Sequence, residues 1–182
     1  MKLYHSTFTR SGRARWMLEE IGEPYELVHV SLMKGEGRTP EYLAIHPHGA
    51  VPALVDGHHK LIESSAIIMH LADKFADKKL APALGTIDRA HYYRWMVYVP
   101  ATVDPALEAI TLHTRLLPEA KRVAAIADEG KRRWGNIARV LEEAVGGRKF
   151  VVGDHFTGAD VVVASAIGWV EFLGLIGDHP KL

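Results

Sequence analysis

Apolar positions change their period several times along the first 75 residues, and each change marks an element. Residues 2–5 read as a short strand. Ala14, Met17, Leu18 and Ile21 then recur at helical spacing, which predicts a helix over residues 11–21. Gly22 closes it and Pro24 prevents its resumption. Residues 25–30 alternate as a second strand, with Tyr25 and Leu27, and by the same spacing His29, on one side. After a polar, Gly-rich loop over 33–38, Thr39-Pro40-Glu41 supplies an N-cap, a proline at the first helical position and an acid in the first turn. The short helix it opens must end before Pro47. Residues 52–55 and 60–62 predict a hairpin across Asp56-Gly57-His58-His59. A helix over 65–75 follows, with Ile67, Ile68, Leu71 and Phe75 inward. The order is β-α-β-α-β-β-α, a small α/β sandwich.

The pattern past residue 86 is almost wholly helical. A long helix is expected over 88–114, kinked or broken by Pro100 and Pro105. A second is expected over 118–145, closed by Gly146-Gly147. Phe156-Thr157-Gly158-Ala159-Asp160-Val161 has the form of a capping box with a hydrophobic staple. Its expected task is structural: to nucleate a buried helix over 158–173 that is apolar nearly all round. Polar residues, Pro82 and Gly85 between the halves read as a linker. The division expected is 1–77, a linker over 78–87, and 88–182.

Composition narrows what such a chain does. The 22 basic and 22 acidic residues cancel, so no net charge draws it to nucleic acid or to a membrane surface. No apolar run approaches the roughly 20 residues needed to cross a bilayer, and MKLYHSTFTR lacks the apolar core of a secretion signal. A cytoplasmic location is the expectation. Cysteine is absent, which excludes disulfides and any protein thiol nucleophile; for thiol chemistry the sulfur must arrive on the ligand. Among the 11 histidines, His46-x-His48 and His58-His59 sit in turns with no third ligand at metal-site spacing. They read as solvated turn residues, and no metal is expected.

The most informative chemistry lies in IHPHGAVPALVDGHHKLIESSAIIMHLADKF, residues 45–75. An acid followed by hydroxyls opens a helix at Glu63-Ser64-Ser65. The helix start offers unpaired N–H groups to a carboxylate, and Glu63 offers its own carboxylate to an ammonium. A cis Val51–Pro52 bond would hold the backbone of Val51 where an extended peptide can pair with it. These features suit an amino-acid-like or peptide ligand.

Arg10-Ser-Gly-Arg13 at the first helix, HPHGAVPALVD over 46–56, ESSAI over 63–67 and TGAD over 157–160 occur in an order and spacing that resemble the soluble glutathione transferase family. The resemblance covers essentially the whole chain, and TRSGRARWMLEEIG looks most like the bacterial and fungal branch with a Ser or Thr after the first strand. It implies a thioredoxin-like α/β domain followed by an all-α domain, glutathione as cosubstrate, an apolar electrophile as second substrate, and a homodimer with the helices that begin at Ser65 and Asp88 near the two-fold axis. It further implies that the backbone of Val51 before Pro52 pairs with the cysteinyl part of glutathione. Glu63 and Ser64 would hold the γ-glutamyl end. Ala50 departs from the pattern, because related proteins often carry there a basic residue for the glycine carboxylate; His48, Arg38 and Lys34 are the alternatives. Family members usually continue past the position of Leu182 into a final helix.

A free thiol of pKa about 8.5 is mostly protonated at neutral pH, so such a protein must stabilise a sulfur anion with convergent donors. Ser6, Thr7, Thr9 and Ser11 offer hydroxyls where the first strand meets the first helix. Thr9 is the first choice and Ser11 the second, although Ser11 is also the natural N-cap. Tyr4 reads as a strand residue packed in the core. Arg10 or Arg13 could add positive charge near the sulfur, although Arg13 reads better as part of a solvated or interdomain salt bridge. Tyr98 and Thr102 are the candidate contacts of the electrophile, which is expected near the sulfur between the two halves. Hydroperoxide reduction, a non-catalytic carrier and an interaction domain on the same scaffold are the alternative functions.

Overall fold

Four short strands, β1 (Lys2–His5), β2 (Glu26–His29), β3 (Ala53–Asp56) and β4 (His59–Ile62), form one mixed sheet in the order β2-β1-β3-β4. β1 is parallel to β2 and antiparallel to β3, and β3 is antiparallel to β4. The computed structural model describes residues 1–177 and 179–182, and the chain divides into two units, Met1–Ala81 and Pro82–Leu182.

In the first unit, α1 (Ser11–Ile21) and α3 (Ser64–Lys74) lie side by side, α1 packing against β1 and α3 against β4. They bury Ala14, Met17, Leu18, Ile21, Ile67, Ile68 and Leu71, while Leu3 and Leu54 are buried in the sheet. Gly22 closes α1 in the left-handed conformation that glycine adopts without a Cβ clash. The short α2 (Pro40–Leu43) begins as its sequence signals require: the Thr39 side chain accepts from the Tyr42 N–H at 3.3 Å.

Several expectations for this unit need correction. The side of β2 that carries Leu27 faces outward, Leu27 being 40% exposed, because β2 is an edge strand that the helices leave half open. Val28 and Val30 instead line a hollow of about 280 Å³ with Tyr4, Thr39, Tyr42 and Ile45. Tyr4 is thus half-buried, its ring 5.5 Å from that of Tyr42. The hairpin turn is shorter than expected, since Asp56 pairs with His59 and only Gly57-His58 lies outside the ladder. Phe75 stands just beyond α3 and is half-exposed. His46 is buried rather than solvated; burial first, then His48, pushes its pKa down.

Two glycines fix the loop ahead of Val51. Gly37 and Gly49 approach so closely that a Cβ on either would collide with the carbonyl of the other, and Gly49 also sits at φ 62. Tyr42 Oη donates to Ala50 O at 2.6 Å, and Arg38 Nη1 to His48 O at 3.2 Å. Gly49→Ala is expected to lower stability by about 1–3 kcal/mol. Urea unfolding checks this, and a loss too small to measure would show that the two loops part freely.

The second unit is helical: α4 (Ile87–Tyr98), α5 (Asp104–Thr111), α6 (Ala124–Val145) and α7 (Gly158–Leu173). Pro100 does not break the first long run. It lies in a π-helical turn, Val99–Val103, that leads directly into α5. Widening the turn lets the chain continue past a residue that has no N–H to donate and whose ring crowds the preceding turn. A second π turn, Leu112–Leu116, ends the run.

The start of α6 falls later than residue 118. Arg122 is extended, and its guanidinium donates to Leu117 O at 2.8 Å and Arg115 O at 3.1 Å. It thereby satisfies carbonyls left over at the preceding helix end. The capping box of α7 is present: Thr157 N donates to Asp160 Oδ2 at 2.7 Å, and Ala159 N to Thr157 Oγ1 at 3.3 Å. Asp160 Oδ1 also accepts from Val151 N at 2.7 Å. The acid is consumed by structure, as the motif suggested.

Candidate functional site

Strand register brings the scattered sequence motifs of the first unit to one end of the sheet. Tyr4 pairs with Ala53, and Ala53 with Ile62. The chain after His5, the chain before Ala53 and the chain after Ile62 therefore all meet the sheet at the same end. These three segments carry Thr9 to Ser11, Val51-Pro52, and Glu63-Ser64. The remaining sequence candidates, Tyr98 and Thr102, are half-exposed in the second unit, where the ring of Tyr98 meets Trp95 edge-on at 5.6 Å.

The loop from β1 to α1 is a knot of hydroxyls. Ser11 is fully buried. Its Oγ lies 2.8 Å from His5 Nδ1, 2.7 Å from Thr9 Oγ1 and 3.0 Å from Ser6 O, and it accepts from Ser6 N at 3.1 Å. Thr9 is half-exposed; its Oγ1 also lies 2.7 Å from Ser6 O and accepts from Ser11 N at 3.3 Å. Ser11 is not the N-cap of α1. Arg10 holds that position in helical conformation without a side-chain cap, and Thr9 Oγ1 reaches the first N–H instead. Arg10 is exposed, whereas Arg13 is buried rather than solvated.

His5 is the member of this group that the sequence did not reveal. It carried no signal beyond ending a strand, yet its ring is buried against Ser11. Burial, and secondarily the charge of Arg15, push its pKa down.

The Val51–Pro52 peptide bond is cis. Among the described residues, no hydrogen bond engages the N–H or C=O of Val51. At the start of α3 the N–H groups of Ser64, Ser65 and Ala66 have no acceptor among the described residues; the first helical bond runs from Ile67 N to Glu63 O at 2.9 Å. Glu63 caps this helix at φ 71 and ψ 115 with its side chain exposed. A glutamate gains nothing locally from that conformation, and strain of this kind gathers at ligand sites. Unused donors at a helix start beside an exposed carboxylate can take a carboxylate and an ammonium together.

Ser65 Oγ is buried with no partner among the described residues. Ser65→Ala is therefore expected to leave stability unchanged or to raise it by about 1 kcal/mol, since it removes an unsatisfied hydroxyl. A thermal melt checks the sign, and marked destabilisation would mean that the hydroxyl has a partner.

Of the three candidates for a glycine carboxylate, Arg38 is engaged by His48 O, and His48 is exposed with its N–H donating to His46 Nδ1 at 3.3 Å. Lys34, at the end of a 3₁₀ turn, is exposed, and its ammonium has no partner among the described residues. The second unit holds a separate depression of about 330 Å³, with Asp88, Arg94, Trp95, Glu143 and Arg148 among its walls. It contains none of the candidate residues. Among the described residues, no group of three or more His, Cys, Asp or Glu is placed to hold a metal.

A mixed four-stranded sheet with a cis-proline before its third strand, followed by a helical unit, defines a thioredoxin-like domain joined to a helical C-terminal domain. The family model described as "Glutathione S-transferase, N-terminal domain" matches residues 1–73, and "Glutathione S-transferase, C-terminal domain" matches residues 86–181. The chain is 34% identical over 164 residues to Glutathione S-transferase F10 of Arabidopsis thaliana, covering 88% of this chain and 76% of that protein. It is 32% identical over 191 residues to Glutathione S-transferase F13 of the same plant, covering 100% and 87%. Among solved structures, a glutathione transferase family member from Pseudomonas fluorescens with two glutathione bound superposes with a TM-score of 0.85. The two are 28% identical, over 99% of this chain and 83% of that one. The chain belongs to the glutathione S-transferase family, and its activity class is that of a glutathione S-transferase.

Proposed function

We propose that the chain binds glutathione at the common sheet end and activates its thiol for attack on an apolar electrophile, with hydroperoxide reduction as a second use of the same thiolate. The observation that carries this reading is the set of unused polar groups there. The main chain of Val51 is open to an extended peptide, and the N–H groups of Ser64 and Ser65 are open to a carboxylate. The exposed carboxylate of Glu63 is open to an ammonium. Glutathione has those three features in one molecule, with Val51 meeting its cysteinyl part and Glu63 and Ser64 its γ-glutamyl end.

Thr9 is the hydroxyl proposed to face the sulfur, because it is half-exposed while Ser11 is fully buried behind it. This pairing supports placement in the branch with a Ser or Thr after the first strand. Arg10, exposed at the start of α1, adds positive charge. A hydrogen bond and a partial positive charge favour thiolate over thiol, and the released proton passes to solvent. Lys34 is proposed for the glycine carboxylate, Ala50 offering none. Tyr98 and Thr102 are the proposed electrophile contacts.

A cytoplasmic homodimer is part of the proposal. Among the described residues no helix is long and apolar enough to cross a membrane. The exposed Ile87, Tyr93 and Val97 fall within about a third of the circumference of α4, a stripe suited to a second copy. Calorimetric titration with glutathione, followed by chloronitrobenzene and hydroperoxide assays, tests the function. No heat at millimolar glutathione contradicts it; binding without turnover of either substrate class leaves a carrier.

A further inference from the structure

Among the described residues, the hydroxyls of Thr9 and Ser11 bond only to His5, Ser6 and each other, apart from the Ser11 N–H that Thr9 Oγ1 accepts, so their donors and acceptors can be counted. Ser11 Oγ has two lone pairs and one proton. One lone pair accepts from Ser6 N. The other depends on His5.

If His5 Nδ1 lacks a proton, Ser11 donates to it at 2.8 Å, and its free lone pair takes the proton of Thr9 at 2.7 Å. Thr9 can then turn inward. If His5 Nδ1 carries a proton, it fills that lone pair. Ser11 must then donate to Thr9 Oγ1 or to Ser6 O, and Thr9 can no longer donate to Ser11. Its proton is left for Ser6 O or for a ligand.

We propose that His5, with its proton on Nδ1, is a positioning residue that turns the Thr9 hydroxyl toward the ligand sulfur through the chain His5 Nδ1–H, Ser11 Oγ–H, Thr9 Oγ1–H. This inference rests on the glutathione reading and adds to it the cause of the hydroxyl's direction. No proton changes owner in the relay; only the sense of each hydrogen bond is set. Each donor in such a chain polarises the next, so Thr9 donates more strongly than an isolated hydroxyl would.

The surroundings suit the role. Arg15 of α1 and His29 of β2 are the charged or titratable groups whose fields act on the ring, and both, with burial, disfavour the imidazolium. They favour the neutral ring, in which the tautomer decides whether Nδ1 donates to Ser11 Oγ or accepts from it. Asparagine can place an amide N–H near the position of Nδ1, whereas leucine offers no donor.

The test compares wild type, His5→Leu and His5→Asn for glutathione affinity by calorimetry, kcat with chloronitrobenzene, and the apparent pKa of the bound thiol by its ultraviolet absorbance. Circular dichroism checks the fold of each. His5→Leu is expected to lower kcat about tenfold, with a matching rise in the thiol pKa and little change in glutathione affinity. His5→Asn is expected to recover most of the loss, which a purely structural role would not give. Nitrogen NMR of the glutathione complex should show the Nδ1–H tautomer of His5. The opposite tautomer, or an unaltered thiol pKa in a folded His5→Leu protein that still binds glutathione, overturns the relay alone. Failure of the wild type to bind glutathione overturns the functional reading, and the relay with it.

Discussion

Thr9→Ala lowers kcat with a chloronitrobenzene by about a hundredfold while glutathione affinity stays within a few-fold. The asymmetry follows from where the hydroxyl sits. Thr9 is half-exposed, its Oγ1 tied to Ser6 O and Ser11 Oγ, and it lies on a different segment from Val51, Glu63 and Ser64. The hydrogen bond proposed for it favours the ionised over the protonated form of the bound thiol, so removing it lowers the fraction of reactive thiolate far more than it lowers overall affinity. A hundredfold is the lower end for loss of an oxyanion donor, and sulfur, a larger and softer anion, belongs at that end. Steady-state kinetics across pH checks the result. Equal inactivation by Ser11→Ala is compatible, because Ser11 supports Thr9. Full activity of Thr9→Ala would hand the role to main-chain donors, of which the Thr9 N–H is one with no protein acceptor among the described residues.

Glu63→Gly stabilises the fold by about 1 kcal/mol and at the same time weakens glutathione binding by about ten- to a hundredfold. Two properties of one residue pull in opposite directions. A glutamate at φ 71 and ψ 115 is strained, and glycine relieves that strain while giving back part of the gain as unfolded-chain entropy. The carboxylate, however, is the group proposed to meet the ligand ammonium, and a hydrogen bond to a charged partner is among the stronger ones. Glu63→Gln separates the two effects: it keeps the strain and loses the charge, so its stability should match wild type while its affinity falls about tenfold. Denaturant melts and calorimetry on the three proteins decide the matter. Tight binding by Glu63→Gly would show that the strained glutamate serves the fold and not a ligand.

Elements whose signals are local were legible in the sequence. The span of α1, with Gly22 at its end, the Thr39 cap of α2 and the capping box of α7 follow from one or a few neighbouring residues, and the structure has each. What depends on distant partners was not. The outward turn of Leu27 needed the knowledge that β2 is an edge strand. The late start of α6 needed the reach of Arg122 back to Arg115 O and Leu117 O. Prolines at 100 and 105 announced a disturbance but not its form, because a π turn and a break satisfy the same local rule.

The candidate site divides along the same line. Val51-Pro52 and Glu63-Ser64 stood out as motifs, and register alone then brought them to the end of the sheet where Thr9 lies. His5 gave no such signal. Its position six residues before Ser11 acquires meaning only once the chain turns back on itself and places Nδ1 2.8 Å from Ser11 Oγ.

A crystal of the protein soaked with glutathione tests the central claim most directly. The account predicts the sulfur within hydrogen-bond reach of Thr9 Oγ1, the cysteinyl main chain paired with Val51, and the γ-glutamyl end held by Glu63 and the first N–H groups of α3. Glutathione bound away from this sheet end, or bound there with its sulfur turned from Thr9 toward solvent, would contradict it.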